Sequence, residues 1–317
     1  MIGYLCPPHM DSIDPLRLEG CLLGLACGNA LGLPYENLWP AETIVERTQG
    51  RVRGWDPKEK DLAWDDDTAQ AVLIARMLAE GPLTVEGVGR RLLRWKLENG
   101  RGIKTLVSRV LDDVEGDVPV EEASQEAFER LGRNWSATNA ALARCIPVAL
   151  RHHDDPATLV EQTGVAVRAT HWNPLCVWSA TAFNLGLATT LREEPLHLQT
   201  LAETVRSHGA PDSVCDAVDA SRAPLSVFLL DGKAKAYTLK AMQVGLWALL
   251  QPQPRVEELL ESLILEGGDT GTNAAVAGAA LGARVGAKGL GSRWIAALHD
   301  PEAITEAARR LARSPAQ

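Results

Sequence analysis

No Cys-x-x-Cys pair occurs in the 317-residue chain, and its six cysteines, Cys6, Cys21, Cys27, Cys145, Cys176 and Cys215, are scattered along it. That spacing excludes a zinc knuckle or a dithiol redox motif. In a chain this long the thiols suggest no disulfide scaffold and are expected mostly as small buried hydrophobes. Basic charge is also short: 32 Lys and Arg stand against 41 Asp and Glu, a net charge of −9. A broad nucleic-acid surface needs the opposite sign. A small phosphorylated ligand is not excluded, because a few local donors or metal ions outweigh a weak global field. Apolar stretches such as 274–283 fall well short of the roughly 18 residues that a membrane span needs. The N-terminus lacks a basic start followed by an apolar run. The expectation is a cytoplasmic enzyme or binding protein with no membrane partner and an oligomeric state left open.

Alternating β-branched strands are absent from the pattern, as are an internal repeat and a linker between halves. What is present is helical periodicity. Residues 1–14, with Pro7 and Pro8, read as an irregular arm, and residues 15–317 as one domain. Apolar residues then recur at helical spacing over 16–32, 66–78, 85–97, 121–131, 137–151, 158–170, 177–190, 196–206, 234–250, 256–265, 272–287 and 301–312. Ser136, Asp155 with Pro156, and Asp300 with Pro301 supply start signals. The fold class is all-α, and 46% hydrophobic residues are enough to bury its core.

In such a bundle the chemistry sits at helix ends. The irregular stretch 32–63, with Pro34, Trp39, Pro40, Gly50, Gly54 and Pro57, leads into Trp64-Asp65-Asp66-Asp67-Thr68. Acids at a helix N-terminus suit the macrodipole and can cap it, yet three in a row repel one another without a cation, and hard divalent ions take clustered oxygens. Gly267-Gly268-Asp269-Thr270-Gly271-Thr272 likewise places Asp and Thr oxygens before an Ala-rich helix. A third loop, Asn99 to Thr105, is rich in glycine and basic residues.

Taken in order, these segments resemble the ADP-ribosylglycohydrolases, the all-α enzymes that include the dinitrogenase-reductase-activating glycohydrolases and the ADP-ribosyl-acceptor hydrolases. The resemblance runs through Gly20-Cys-Leu-Leu-Gly-Leu-Ala-Cys-Gly-Asn-Ala-Leu-Gly32, Pro34-Tyr35-Glu36, Trp64 to Thr68 and the loop at Gly100 to Thr105. It continues through Asn139 to Arg144 with Pro147, Thr170-His171-Trp172-Asn173-Pro174 and Gly267 to Gly278.

The resemblance implies a compact orthogonal helical bundle and a site for one or two Mg²⁺ (or Mn²⁺) ions, with Asp65, Asp66, Asp67, Asp269 and Thr272 as ligands. Glu36 and Asp66 are the implied catalytic residues, with Glu36 beside the water. Gly100, Gly102, Thr105, Asn139, His171 and Tyr237 are the implied contacts to ADP-ribose. Bland roles are open to several of these: a cap for Asn139, a structural hydrogen bond for His171, a half-buried core position for Tyr237. The implied activity is hydrolysis of the glycosidic bond between ADP-ribose and an acceptor, with an arginine-type protein linkage as first expectation and an ADP-ribosylated protein or small molecule as partner. Chemically this suits an oxocarbenium-like transition state, in which oriented oxygens and a placed water do most of the work.

Three positions depart from the family's signature. Asn29 stands where Asp is usual, Asp65 where Thr is usual, and Gly271 where the second Asp of Asp-Thr-Asp-Thr is usual. With the carboxylate lost at 271 and one gained at 65, a single metal or a relocated pair is the expectation. The alternative is a divergent member that binds ADP-ribose or a related nucleotide with little or no turnover.

Overall fold

The computed structural model describes residues 13–36, 38, 40–52, 63–232 and 234–313. Cys6, Trp39, Gly54, Pro57 and most of the expected N-terminal arm lie outside them. The described residues form the helices α1 (Pro15–Gly32), α2 (Ala41–Thr48), α3 (Asp66–Glu80), α4 (Val85–Glu98), α5 (Thr105–Glu115), α6 (Val120–Trp135), α7 (Leu142–Arg151) and α8 (Pro156–Arg168). They continue with α9 (Pro174–Leu191), α10 (Leu198–Ser207), α11 (Asp212–Ala220), α12 (Thr238–Leu249), α13 (Val256–Leu265), α14 (Thr270–Gly289), α15 (Ser292–Ala297) and α16 (Pro301–Arg313). No strand occurs among the described residues, and the all-α expectation holds. Cys21, Cys27, Cys145, Cys176 and Cys215 are free and buried, as expected for small hydrophobes.

The centre of the fold is the pair α1 and α14. Glycines four apart on α1 meet small residues on α14 in reverse order. A Cβ added at Gly24 would lie 2.2 Å from the Gly278 carbonyl oxygen, and one at Gly28 would lie 1.8 Å from that of Ala274. The two backbones are thus in direct contact, a distance only residues without side chains allow. This contact fixes the site, because it sets the C-terminal end of α1 beside the N-terminal end of α14. Thr270 Oγ1 donates to the Gly32 carbonyl at 2.8 Å.

By length and mean hydropathy the segment Pro15–Tyr35 could cross a membrane, which the reading of short apolar runs missed, but 83% of that window is buried inside the fold. It is the core helix of the bundle.

Beside this pair, α3 packs on α7, and the guanidinium of Arg144 on α7 is fully buried between them. It donates to Gln70 Oε1 at 3.1 Å, to the carbonyls of Ala166 and Val167 at 3.2 and 3.3 Å, and to Thr170 Oγ1 at 2.5 Å. A buried cation needs such a full set of acceptors.

The stretch 137–151 departs from its helical reading: α7 begins only at Leu142, and Ser136 closes α6 instead of opening the next helix. The backbone of 137–139 is taken up by the segment before α12, with Asn139 N donating to the Ala236 carbonyl at 3.0 Å and Thr238 N to that of Ala137 at 3.0 Å. Apolar spacing could not register this pairing, because its partner lies about a hundred residues away. Asp155 and Asp300 cap α8 and α16 as read, accepting from the backbone of Thr158 and Ala303.

Candidate active site

Three helix ends converge. Asp65 is the N-cap of α3, and its backbone amide and that helix's first turn are held by Asn29 of α1. Asn29 Oδ1 accepts from Asp65 N at 3.0 Å and from Thr68 Oγ1 at 2.9 Å, while its Nδ2 donates to Asp65 Oδ1 at 2.8 Å. The departures at 29 and 65 are therefore one coupled exchange: an Asp at 29 would face Asp65 at hydrogen-bond distance with no donor between them, and Asn supplies it.

From the opposite side, Asp269 stands at the N-cap position of α14 without capping it through its side chain, and its Oδ2 accepts from Asn139 Nδ2 at 2.9 Å. Above them, Glu36 ends the short 3-10 turn Leu33–Tyr35 that follows α1. Its Oε1 accepts from Lys104 Nζ at 2.7 Å, and its Oε2 lies 3.2 Å from where a Cβ would stand on Gly271. Gly102, at φ +79°, lets the loop before α5 close on Asp65; a Cβ there would be 2.6 Å from the carboxylate.

Burial and mutual repulsion dominate the electrostatics. Desolvation, then the neighbouring carboxylates, holds Asp66 and Asp67 well above the ordinary aspartate range. Glu36 is raised by burial and by Asp269, against the pull of Lys104. Burial disfavours the charge on Lys104, but Asp67, Asp66, Asp269 and Glu36 outweigh it and keep the ammonium above the usual lysine range.

Both carboxylate oxygens of Asp66, both of Asp67, Asp269 Oδ1 and Thr272 Oγ1 are buried without a well-formed hydrogen bond among the described residues. Leaving so many oxygens unsatisfied in one place is costly. Asp65, Asp66 and Asp67 can each offer an oxygen within 4.8 Å of the others. This all-oxygen donor set fits a hard divalent cation of the Mg²⁺ or Mn²⁺ kind.

A cavity of about 470 Å³ opens from this cluster, with Lys104, Thr105, Arg109, Trp135, Asn139 and Asp269 among its walls. That volume is typical of a small-molecule site. Trp135 stands 80% exposed at its edge. Of the residues expected to meet ADP-ribose, Thr105 and Asn139 line this cavity. Gly102 backs Asp65, and Gly100, at φ +58°, shapes the turn against Lys96. Tyr237 is half-buried against the core, and its backbone bridges to Thr138.

His171 is buried behind the wall, with Nε2 at 2.8 Å from Thr138 Oγ1 and Nδ1 at 2.8 Å from Thr170 Oγ1. Thr138 itself lines the cavity. Desolvation, then Arg144, depresses the His171 pKa well below the ordinary value of 6.5. Between the depressed folded value and 6.5 the unfolded chain takes the proton and the folded one does not, so stability falls as the pH drops through that window. A His171→Gln variant is expected to lose this part of the slope, at most about 1.4 kcal/mol per pH unit. Urea unfolding of both proteins between pH 7 and 5 measures it.

Sequence reasoning missed Lys104, Arg109, Trp135 and the role of Asn29. The basic character of the 99–105 loop was visible, but not that one of its cations reaches the carboxylates. Asn273, whose buried amide has no hydrogen-bond partner at either atom among the described residues, was also passed over inside an Ala-rich run.

Comparison with known proteins identifies a family. The family model described as ADP-ribosylglycohydrolase matches residues 11–317. An ADP-ribosylarginine hydrolase, Tri1, of Pseudomonas putida is 26% identical, over 93% of this chain and 77% of its own. The ADP-ribosyl-[dinitrogen reductase] glycohydrolase of Rhodospirillum rubrum is 26% identical, over 89% of this chain and 90% of its own. A solved structure described as an ADP-ribosylglycohydrolase-related protein complex superposes with a TM-score of 0.71 at 25% identity, covering 95% of this chain and 98% of that one.

Proposed function

This chain belongs to the ADP-ribosylglycohydrolase family and is a hydrolase of glycosyl bonds, and we propose that it is a divalent-metal-dependent enzyme releasing ADP-ribose from arginine-type linkages on protein. The observation that carries the metal dependence is the set of buried oxygens of Asp66, Asp67, Asp269 and Thr272 that lack a well-formed hydrogen bond among the described residues. These residues would hold the ion, which would orient the ribose hydroxyls and make the attacking water more acidic. The arginine linkage is supported by the name of the Pseudomonas relative, and a protein substrate by that of the Rhodospirillum one.

The chain's own residues account for the rest. In hydrolysis, water oxygen bonds to the anomeric carbon, the bond from that carbon to nitrogen breaks, and the guanidine leaves with a proton. Glu36 has its proton affinity raised by burial and by Asp269, which suits it to take the proton of the attacking water. Lys104 fixes that carboxylate through Oε1. Asn139 fixes Asp269 in the same manner. The cavity walls contributed by Thr105, Arg109 and Trp135 offer a hydroxyl, a cation and an aromatic face for the diphosphate and adenine ends.

A binding-only role is the second reading, favoured by Gly271, which places no oxygen where the family's signature has a carboxylate. One experiment separates the two: release of free ADP-ribose from arginine-ADP-ribosylated protein with Mn²⁺ and with EDTA, beside calorimetric titration of ADP-ribose into the same sample. Release with Mn²⁺ that EDTA abolishes is the expected result. Binding without release from this or from serine-linked substrate would establish the second reading.

A further inference from the structure

We infer that Lys104 is the second cation of this site, so that the protein holds one divalent ion and an internal ammonium rather than a pair of metals. The inference rests on the metal-dependent reading above and adds the count of ions.

The oxygens of the cluster fall into two sets. Those of Asp66 and Asp67, with Asp269 Oδ1 and Thr272 Oγ1, have no well-formed hydrogen bond among the described residues. On the other side, Glu36 Oε1 accepts from Lys104 Nζ at 2.7 Å, and Asp65 Oδ1 accepts from Asn29 at 2.8 Å. Lys104 lies between the sets: its Nζ is 3.8 Å from Asp65 Oδ2 and 3.8 Å from Asp66 Oδ1 as well. Its side chain is three-quarters buried, leaving 25% exposed. It enters from the residue just before α5, where the loop closes on Asp65 at Gly102.

Gly271 completes the argument. A Cβ at this position would come within 3.2 Å of Glu36 Oε2. A carboxylate there would crowd Glu36 and add a negative charge; without it, Glu36 lies over the glycine and pairs with lysine. The missing ligand at 271 and the ammonium at 104 thus take one carboxylate from this side and set fixed positive charge beside Glu36, Asp65 and Asp66. A divalent ion on this side would sit against that ammonium at a distance where like charges repel strongly.

The test counts ions directly. Equilibrium dialysis of the full chain against Mn²⁺, with bound metal quantified and examined by electron paramagnetic resonance, is expected to give one ion per chain with the spectrum of an isolated centre. Lys104→Arg keeps one ion. Gly271→Asp alone also keeps one, because the ammonium remains. Lys104→Met tightens the bound ion at least tenfold, and Lys104→Met with Gly271→Asp binds two ions with an exchange-coupled spectrum. Circular dichroism and thermal melting verify that each variant is folded. Two ions in the unaltered protein, or in Gly271→Asp alone, would overturn the assignment of Lys104 while leaving metal-dependent hydrolysis standing. An unchanged affinity in folded Lys104→Met would overturn it too. No bound ion in the unaltered protein, with ADP-ribose release indifferent to EDTA, would remove the metal-dependent reading itself and this inference with it.

Discussion

Asp66→Ala is expected to cut Mn²⁺-dependent release of ADP-ribose by a thousandfold or more while making the metal-free protein more stable. The two effects have one cause. Asp66 is buried, neither of its oxygens has a hydrogen-bond partner among the described residues, and burial and its neighbours hold its pKa well above the ordinary range. A carboxylate in that position costs the fold energy. Removing it relieves about 1–2 kcal/mol of desolvation and repulsion in the absence of metal, in the range found when buried charges are replaced.

The same carboxylate belongs to the donor set, so its loss removes the positioning of ribose and water that a bound ion would give, roughly 4 kcal/mol, at 1.36 kcal/mol per tenfold in rate. Mn²⁺ should raise the unfolding free energy of the unaltered protein by about 2.7 kcal/mol at a hundred times its dissociation constant, and leave Asp66→Ala unmoved. Thermal melting with and without Mn²⁺, paired with the release assay, checks both. A variant that melts lower without metal and still responds to Mn²⁺ would show Asp66 to be a structural residue.

The parts of this site written as local runs were legible in the sequence. Asp65-Asp66-Asp67 and Gly267 to Thr272 are consecutive residues at helix starts, and like charge in a row is an anomaly that needs no tertiary information. Glu36 was legible only through the resemblance. The partners of these groups were not legible, because each reaches across the fold: Asn29 holds Asp65, Asn139 holds Asp269, and Lys104 holds Glu36.

The same division holds for the helices. Long amphipathic or Ala-rich segments showed their period, but α2 was hidden in a stretch dominated by proline and glycine, and α5 begins at Thr105, inside the loop read for ligand binding. Short α11 and α15 carry too few turns for a period to stand out.

The glycines of α1 looked like a family signature, and the structure gives them a mechanical reason from which the second large effect follows. Gly28→Val is expected to abolish the native fold. A Cβ at 28 would lie 1.8 Å from the Ala274 carbonyl oxygen and 2.5 Å from its carbon. These are backbone atoms in the second turn of α14, so no rotamer change relieves the collision and the helices must separate. Separation breaks the register that lets Thr270 Oγ1 reach the Gly32 carbonyl, and it moves Asn29 and Glu36 away from Asp65 and Asp269. A loss above about 4 kcal/mol is expected, from overpacking together with the lost contacts, against a total of roughly 5–15 kcal/mol for a domain.

Gly50→Ala serves as the comparison. That glycine has positive φ (+73°) but nothing within 4 Å of an added Cβ, so only backbone strain of about 1–2 kcal/mol applies. Near-ultraviolet circular dichroism and urea unfolding should find Gly50→Ala folded and modestly weakened, and Gly28→Val without fixed tertiary packing or Mn²⁺ affinity. A cooperative, metal-binding Gly28→Val would mean that α1 and α14 can part without disturbing the site, and would overturn the view that their contact is what brings Glu36, Asp65 and Asp269 together.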